Sequence, residues 1–124
     1  MGKLDLLLVD DRPANLGFVT DFLTHSGHRV RCETSGEAAL KTMGEAPPDL
    51  VLLDFEMPGM DGLTVLRSIR SNPAFAAVKV VIFSAHPQEH IEDECLDAGA
   101  DAVMSKPLRL RGIQAMLAQY STPD

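Results

Sequence analysis

Short apolar runs alternate along this chain with segments whose apolar residues recur every three or four positions, and the pattern repeats five times. The first run, residues 4–9, ends in Asp10-Asp11. Pro13 follows, and proline suits the first turn of a helix because the N–H it lacks would have no partner there. Leu16, Val19 and Leu23 lie at i, i+3 and i+7 as a core-facing stripe, and Gly27 closes the helix. Residues 28–33 alternate polar and apolar, as a half-exposed edge strand does. Thr34, with Glu37 three positions on, reads as a capping box. The helix it opens buries Ala39, Leu40 and Met43 and stops at Pro47-Pro48.

The second half reads the same way. Leu50 to Leu53 is an unbroken apolar run, a strand buried on both faces, and it ends on Asp54. Asp61 caps a third helix that buries Leu63, Leu66 and Ile69. Residues 78–83 are apolar except for Lys79, so this strand is also central, and it runs into Ser84-Ala85. A fourth helix continues to Ala98, with Gly99 at its C-terminal turn. A short strand over 101–104 leads to Ser105-Lys106-Pro107, and a last helix spans about residues 108–120. Residues 121–124 read as a frayed tail or the start of a linker.

Five β/α units predict a three-layer α/β/α sandwich around a five-stranded parallel sheet, as one domain over residues 1–124. Periodicity alone leaves the strand order open. A flavodoxin-like order 2-1-3-4-5 places the three most continuously apolar runs at the centre. It also keeps Cys32, on an edge strand, too far from Cys95, near the opposite edge, to form a disulfide. Both cysteines are expected to be reduced and packed.

Composition narrows the partners. The formal net charge of −7 over 124 residues argues against binding nucleic acid or an anionic membrane surface. No segment approaches the roughly 18 apolar residues of a membrane span, and the N-terminus lacks signal-peptide character. A cytoplasmic setting is expected.

In a parallel sheet all strand ends point one way, and ligands bind at the C-terminal edge. There the strands deliver Asp10 and Asp11, Asp54, Ser84 and Lys106. Clustered carboxylates repel one another unless a cation sits among them. Oxygen-only ligands suit Mg²⁺ before Zn²⁺. A lysine and a hydroxyl beside such a site suit a phosphoryl group, and a carboxylate can accept one. Taken singly, each position has a plainer reading: a helix-start acid for Asp10 and Asp11, a turn acid for Asp54, a turn residue for Ser84, a solvated lysine for Lys106.

Together, Asp10-Asp11, the loop Asp54…Met57-Pro58-Gly59-Met60-Asp61-Gly62, Ser84-Ala85 and Lys106-Pro107 resemble the receiver domain of bacterial two-component response regulators, over the whole chain. The intervals of 43, 30 and 22 residues from Asp11 to Asp54, Ser84 and Lys106 in turn match that family. The resemblance implies a phosphorelay switch, not a turnover enzyme, phosphorylated on Asp54 by a histidine kinase or phosphotransfer protein. It implies Mg²⁺ held by Asp11, by Asp10 through water, by Asp54 and by the backbone carbonyl of Glu56. It pairs Lys106 with Asp54 and the phosphoryl oxygens, brings the Ser84 hydroxyl to the phosphoryl group, and draws further N–H donors from near Phe55 and Ala85. It also implies a cis bond before Pro107 and a monomer or weak dimer acting on an output partner.

Glu56 and His86, two residues past Asp54 and Ser84, would flank the path of the hydrolytic water and tune the phosphoryl lifetime. No metal role is expected for His86 or His90. One departure concerns Val103, where the family usually carries an aromatic residue that follows the switch. A β-branched valine has few rotamers, so the hand-off to the face formed by the fourth helix, fifth strand and last helix is in question. Three rivals stand beside this reading: a small phosphatase or phosphotransferase using an aspartyl-phosphate, with Glu56 as second acid; a degenerate receiver that only binds; and a flavin-binding flavodoxin-like protein, which Asp10-Asp11 argue against because they would repel a phosphate after the first strand.

Overall fold

Strands β1 (Asp5–Val9), β2 (Arg29–Glu33), β3 (Leu50–Asp54), β4 (Lys79–Ser84) and β5 (Ala102–Ser105) form one parallel sheet in the order β2-β1-β3-β4-β5. The structure is a computed structural model and describes residues 3–85, 89–106 and 108–120. Helices α1 (Gly17–His25), α2 (Gly36–Glu45), α3 (Gly62–Arg70), α4 (Glu89–Asp97) and α5 (Leu110–Tyr120) connect and cover the strands. Two 3₁₀ turns lie at Pro13–Asn15 and Pro73–Phe75.

The two-residue period of a strand divides the core into two layers. Leu7, Val9, Val51, Leu53, Val80 and Ile82 pack with Met43 of α2, Leu66 and Ile69 of α3, and Cys95 of α4. Leu6, Leu8, Leu50, Leu52, Val81 and Phe83 pack on the other face with Val19 and Leu23 of α1 and Ile113 and Leu117 of α5. Strands β1, β3 and β4 are therefore covered on both sides, which is why their sequences are continuously apolar. β2 lies at the edge and is only partly buried.

Local details differ from the sequence expectation. The cap of α2 is Ser35, not Thr34: its hydroxyl accepts the Ala38 N–H at 3.1 Å. Ser35 has the extended backbone of an N-cap residue, and its oxygen reaches the amide three residues on. Asp61 caps α3 as expected, accepting the Thr64 N–H at 2.9 Å. Cys95 is packed, but Cys32 is exposed, its thiol 3.4 Å from the Thr20 hydroxyl. Cys32 lies on the outermost strand, where α1 covers it only in part. The last helix begins at Leu110. The tail 121–124, Pro107 and its peptide bond, His86 and the His90 side chain lie outside the described residues. Among those described, no helix is long and apolar enough to cross a membrane.

Two glycines shape the loop after β3. Gly59 holds φ +76, the left-handed region. Gly62 opens α3 against the end of β3, where a Cβ would lie 2.5 Å from the Asp54 carbonyl oxygen. Its N–H donates to the Phe55 carbonyl at 3.1 Å. This close approach fixes the backbone on the far side of Asp54.

Candidate functional site

The C-terminal edge of the sheet brings together every residue singled out there. Asp10 follows β1 and is fully buried; Asp54 ends β3 and is 1% exposed; Ser84 ends β4 and is fully buried. Lys106 follows β5, and its N–H donates to the Ser84 carbonyl at 2.8 Å, so the ladder itself places it. Asp10, Asp11 and Asp54 each offer a carboxylate oxygen within 4.8 Å of the others.

Asp10 is held rigidly. Its Oδ1 accepts the Arg12 N–H at 2.8 Å and its Oδ2 accepts from the Asn15 side chain at 3.4 Å. The sequence reading did not single out Asn15; nothing in a lone turn residue marks it as a carboxylate partner. Asp54 Oδ1 accepts the Glu56 N–H at 3.0 Å and pairs with Lys106 Nζ at 2.9 Å. Asp54 Oδ2 is buried and has no hydrogen-bond partner among the described residues. A buried carboxylate oxygen without a partner is costly, and neighbouring acids make it more so.

The electrostatics reflect this crowding. Burial raises the Asp54 pKa to about 6, against the pull of Lys106; Asp10 adds to the rise, while the Glu56 N–H opposes it. Lys106 favours the ionised form of Asp54 through its hydrogen bond and its charge. On its own it does not offset the loss of water around a residue this buried. Burial also works against the Lys106 ammonium, but its bond to Asp54, with Asp10 and Glu56 nearby, outweighs that and raises its pKa. The ammonium sits 5.4 Å from the centroid of the Phe83 ring, which shields it from one side.

Backbone donors face the site next to Phe55 and at Ala85. The Phe55 N–H donates to the Phe83 carbonyl at 2.9 Å and belongs to the sheet. The amide at the site is that of Glu56. The Ala85 N–H does face the site, and it donates to Glu56 Oε1 at 3.0 Å. The Ser84 hydroxyl donates to Glu56 Oε2. Lys106 Nζ is 3.7 Å from Glu56 Oε1. A cavity of about 190 Å³ opens between Asp11, Asp54, Glu56 and Lys106. Val103 sits on β5 opposite Ile82, partly buried against the α2–α3–α4 layer.

The donor set fits a hard divalent cation. The oxygens are clustered, come from carboxylates alone, and include one buried oxygen with no partner. The same edge presents an ammonium and a hydroxyl, so it can bind an anion beside a cation.

Comparison with known proteins agrees with this geometry. The profile of the response regulator receiver domain matches residues 6–118. The chain is 31% identical over 116 residues to a Rhizobium etli protein described as a probable chemotaxis protein CheY, covering 93% of this chain and 90% of that one. It is 34% identical over 114 residues to the transcriptional regulatory protein KdpE of Mycobacterium tuberculosis, covering 92% of this chain but 48% of KdpE. Among solved structures, the receiver domain of the sensor histidine kinase PA1611 of Pseudomonas aeruginosa superposes with a TM-score of 0.85 at 26% identity, covering 96% of this chain and 98% of that one. That structure holds a magnesium ion in its active-site cleft. Five parallel strands in this order, the acids and lysine at their C-terminal edge and the match along nearly the whole chain show that it belongs to the response regulator receiver domain family, the receiver domains of two-component systems.

Proposed function

We propose that this receiver domain, as a single unit over residues 1–124, accepts a phosphoryl group on Asp54 from a phosphohistidine of a kinase or phosphotransfer protein. The observation that supports it best is the state of Asp54. One oxygen is anchored by Lys106 and the Glu56 N–H, and the other is buried without a described partner beside Asp10 and Asp11. Anchoring Oδ1 fixes the orientation of the carboxylate and leaves Oδ2 uncommitted.

In the transfer, the P–N bond of the donor breaks as an Asp54 O–P bond forms, and the imidazole nitrogen takes back the bonding electron pair. Lys106 stays within reach of the oxygens that carry the developing charge, and the hydroxyl of Ser84 and the N–H of Ala85 supply donors from the other side. Asp10, Asp11, Asp54 and the Glu56 carbonyl would hold Mg²⁺, which supplies charge neutralisation for the transferred group. Asp10, pinned by Arg12 and Asn15, is suited to an outer position, and Asp11, only partly buried, to direct contact. The domain returns to its resting state by losing the phosphoryl group slowly, so it is a switch and not a turnover enzyme. Its output partner, and any weak dimer, would read a change that begins at Ser84.

Incubation with acetyl phosphate, with and without Mg²⁺, followed by intact mass, tests this. A single Mg²⁺-dependent phosphoryl adduct, absent in Asp54→Ala, is expected. No adduct, or rapid turnover of a small phosphoester without one, overturns it.

A further inference from the structure

Three donors meet at one end of the cavity beside Asp54, and each is already engaged by the same carboxylate. The Ser84 hydroxyl donates to Glu56 Oε2, and the Ala85 N–H donates to Glu56 Oε1 at 3.0 Å. Lys106 Nζ, bonded to Asp54, stands 3.7 Å from Oε1. A hydroxyl, an amide and an ammonium around one anion form the donor set a phosphoryl group on Asp54 would need. Ser84 has one hydroxyl proton and Ala85 one amide proton, so neither can serve the glutamate and a phosphoryl oxygen at full strength together. Phosphoryl oxygens beside the Glu56 carboxylate would also repel it.

We propose that the Glu56 side chain is the resting occupant of the phosphoryl pocket and must leave it when Asp54 is phosphorylated. The proposal rests on Asp54 being the phosphoacceptor. Glu56 is placed to act this way. It lies two residues past Asp54 in the loop before α3, so it reaches the donors without crossing the core. Its side chain is 38% exposed, so it can swing to water without opening a packed layer. Receiving a phosphoryl group here is an exchange of acceptors on donors already in place, not the capture of a hydroxyl from solvent. Glu56 thereby sets the affinity for the phosphoryl group and limits phosphorylation by weak donors.

The test titrates wild type, Glu56→Ala and Glu56→Asp with beryllofluoride in the presence of Mg²⁺, with Asp54→Ala as control, following the Ala85 amide by NMR. Beryllofluoride attaches to a carboxylate oxygen and mimics its phosphoryl form. Two charge-assisted hydrogen bonds no longer compete in Glu56→Ala, so it should bind the analogue at least about tenfold more tightly. Glu56→Asp keeps the charge but is one methylene too short to hold both donors, and should lie nearer to Glu56→Ala than to wild type. Without analogue, the Ala85 amide should move upfield in Glu56→Ala, because its carboxylate acceptor is gone. Unchanged or weaker binding in Glu56→Ala, Glu56→Asp equal to wild type, or an unmoved Ala85 amide would each overturn the proposal. Failure of the Asp54 reading looks different: the analogue would fail to bind wild type or would still bind Asp54→Ala, while the resting Ala85 shift alone would still decide where Glu56 sits.

Discussion

Where the strands begin, Arg31 pairs with Asp5 at 3.0 Å and Arg70 pairs with Asp101 at 3.0 Å; where they end, Asp10, Asp11, Asp54 and Glu56 gather around Lys106. Arg70 also donates to the carbonyls of Gly99 at 2.8 Å and Val78 at 2.7 Å, and Asp101 accepts the Val80 N–H at 2.8 Å. Even the buried His28 is matched, its Nδ1 accepting the Leu4 N–H at 3.0 Å. One end of the sheet pairs its charges, although Arg31 Nε is buried there without a described partner; the other keeps an excess of negative charge and a buried carboxylate oxygen without one. The difference separates charge that holds the fold from charge that waits for a ligand. Structural groups should cost stability when removed, and site groups should not.

The largest effect is expected at the end whose charges are paired. Arg70→Ala strips donors from two carbonyls and leaves Asp101 without its cation, so it should lower stability by about 2–4 kcal/mol. Denaturant unfolding would read this, while phosphorylation by acetyl phosphate at a temperature where the variant is folded should be unchanged. A slowed reaction with intact stability would reverse the assignment of Arg70.

Asp54→Asn should act in the opposite sense. The Asp54 pKa is about 6 in the folded chain against 3.8 unfolded, so the native state binds the extra proton between those values. Its ionisation therefore removes stability as pH rises through about 6. The neutral variant should be more stable than wild type by about 1–3 kcal/mol at pH 7.5 without divalent cation. The gap should close toward pH 4 and should shrink when Mg²⁺ stabilises the wild type alone. A variant less stable than wild type at pH 7.5 would mean that Asp54 is a structural acid.

The smallest effect belongs to His28. Burial lowers its pKa, and its Nδ1 must stay unprotonated to accept from Leu4. The unfolded chain therefore binds the proton first, and stability should fall as pH drops below the unfolded value of about 6.5. His28→Ala should cost about 1 kcal/mol at neutral pH and flatten that acid slope. The slope is best measured in the Asp54→Asn background, because the two groups titrate with opposite signs. An unchanged slope would place the acid sensitivity elsewhere.

Much of this contrast was legible in the sequence, and the exceptions share a cause. Apolar runs marked β1, β3 and β4 because burial on both faces leaves no room for alternation. The acids and the lysine were found because parallel strands carry their ends to one edge. Backbone and side-chain detail was less visible. The choice of Ser35 over Thr34 as cap depends on one extended residue. The Phe55 amide was claimed by the sheet, and only the β3–β4 register shows that. The side chain of Glu56 could be placed in the loop but not on Ser84 and Ala85, because those contacts cross from β3 to β4. The depth of Asp54 mattered most: its partners were readable, but the burial that raises its pKa against the pull of Lys106 was not.

The claim at the centre of this picture is that the phosphoryl group resides on Asp54. Borohydride reduction of the phosphorylated protein converts an aspartyl-phosphate to homoserine, and peptide mass spectrometry then locates it. The modification is predicted at Asp54, within the peptide that carries Leu50 to Gly62, and in no other peptide. Homoserine at Asp10 or Asp11, hydroxynorvaline (the reduction product of a glutamyl phosphate) at Glu56, or a phosphoryl group that survives as phosphohistidine, would contradict it.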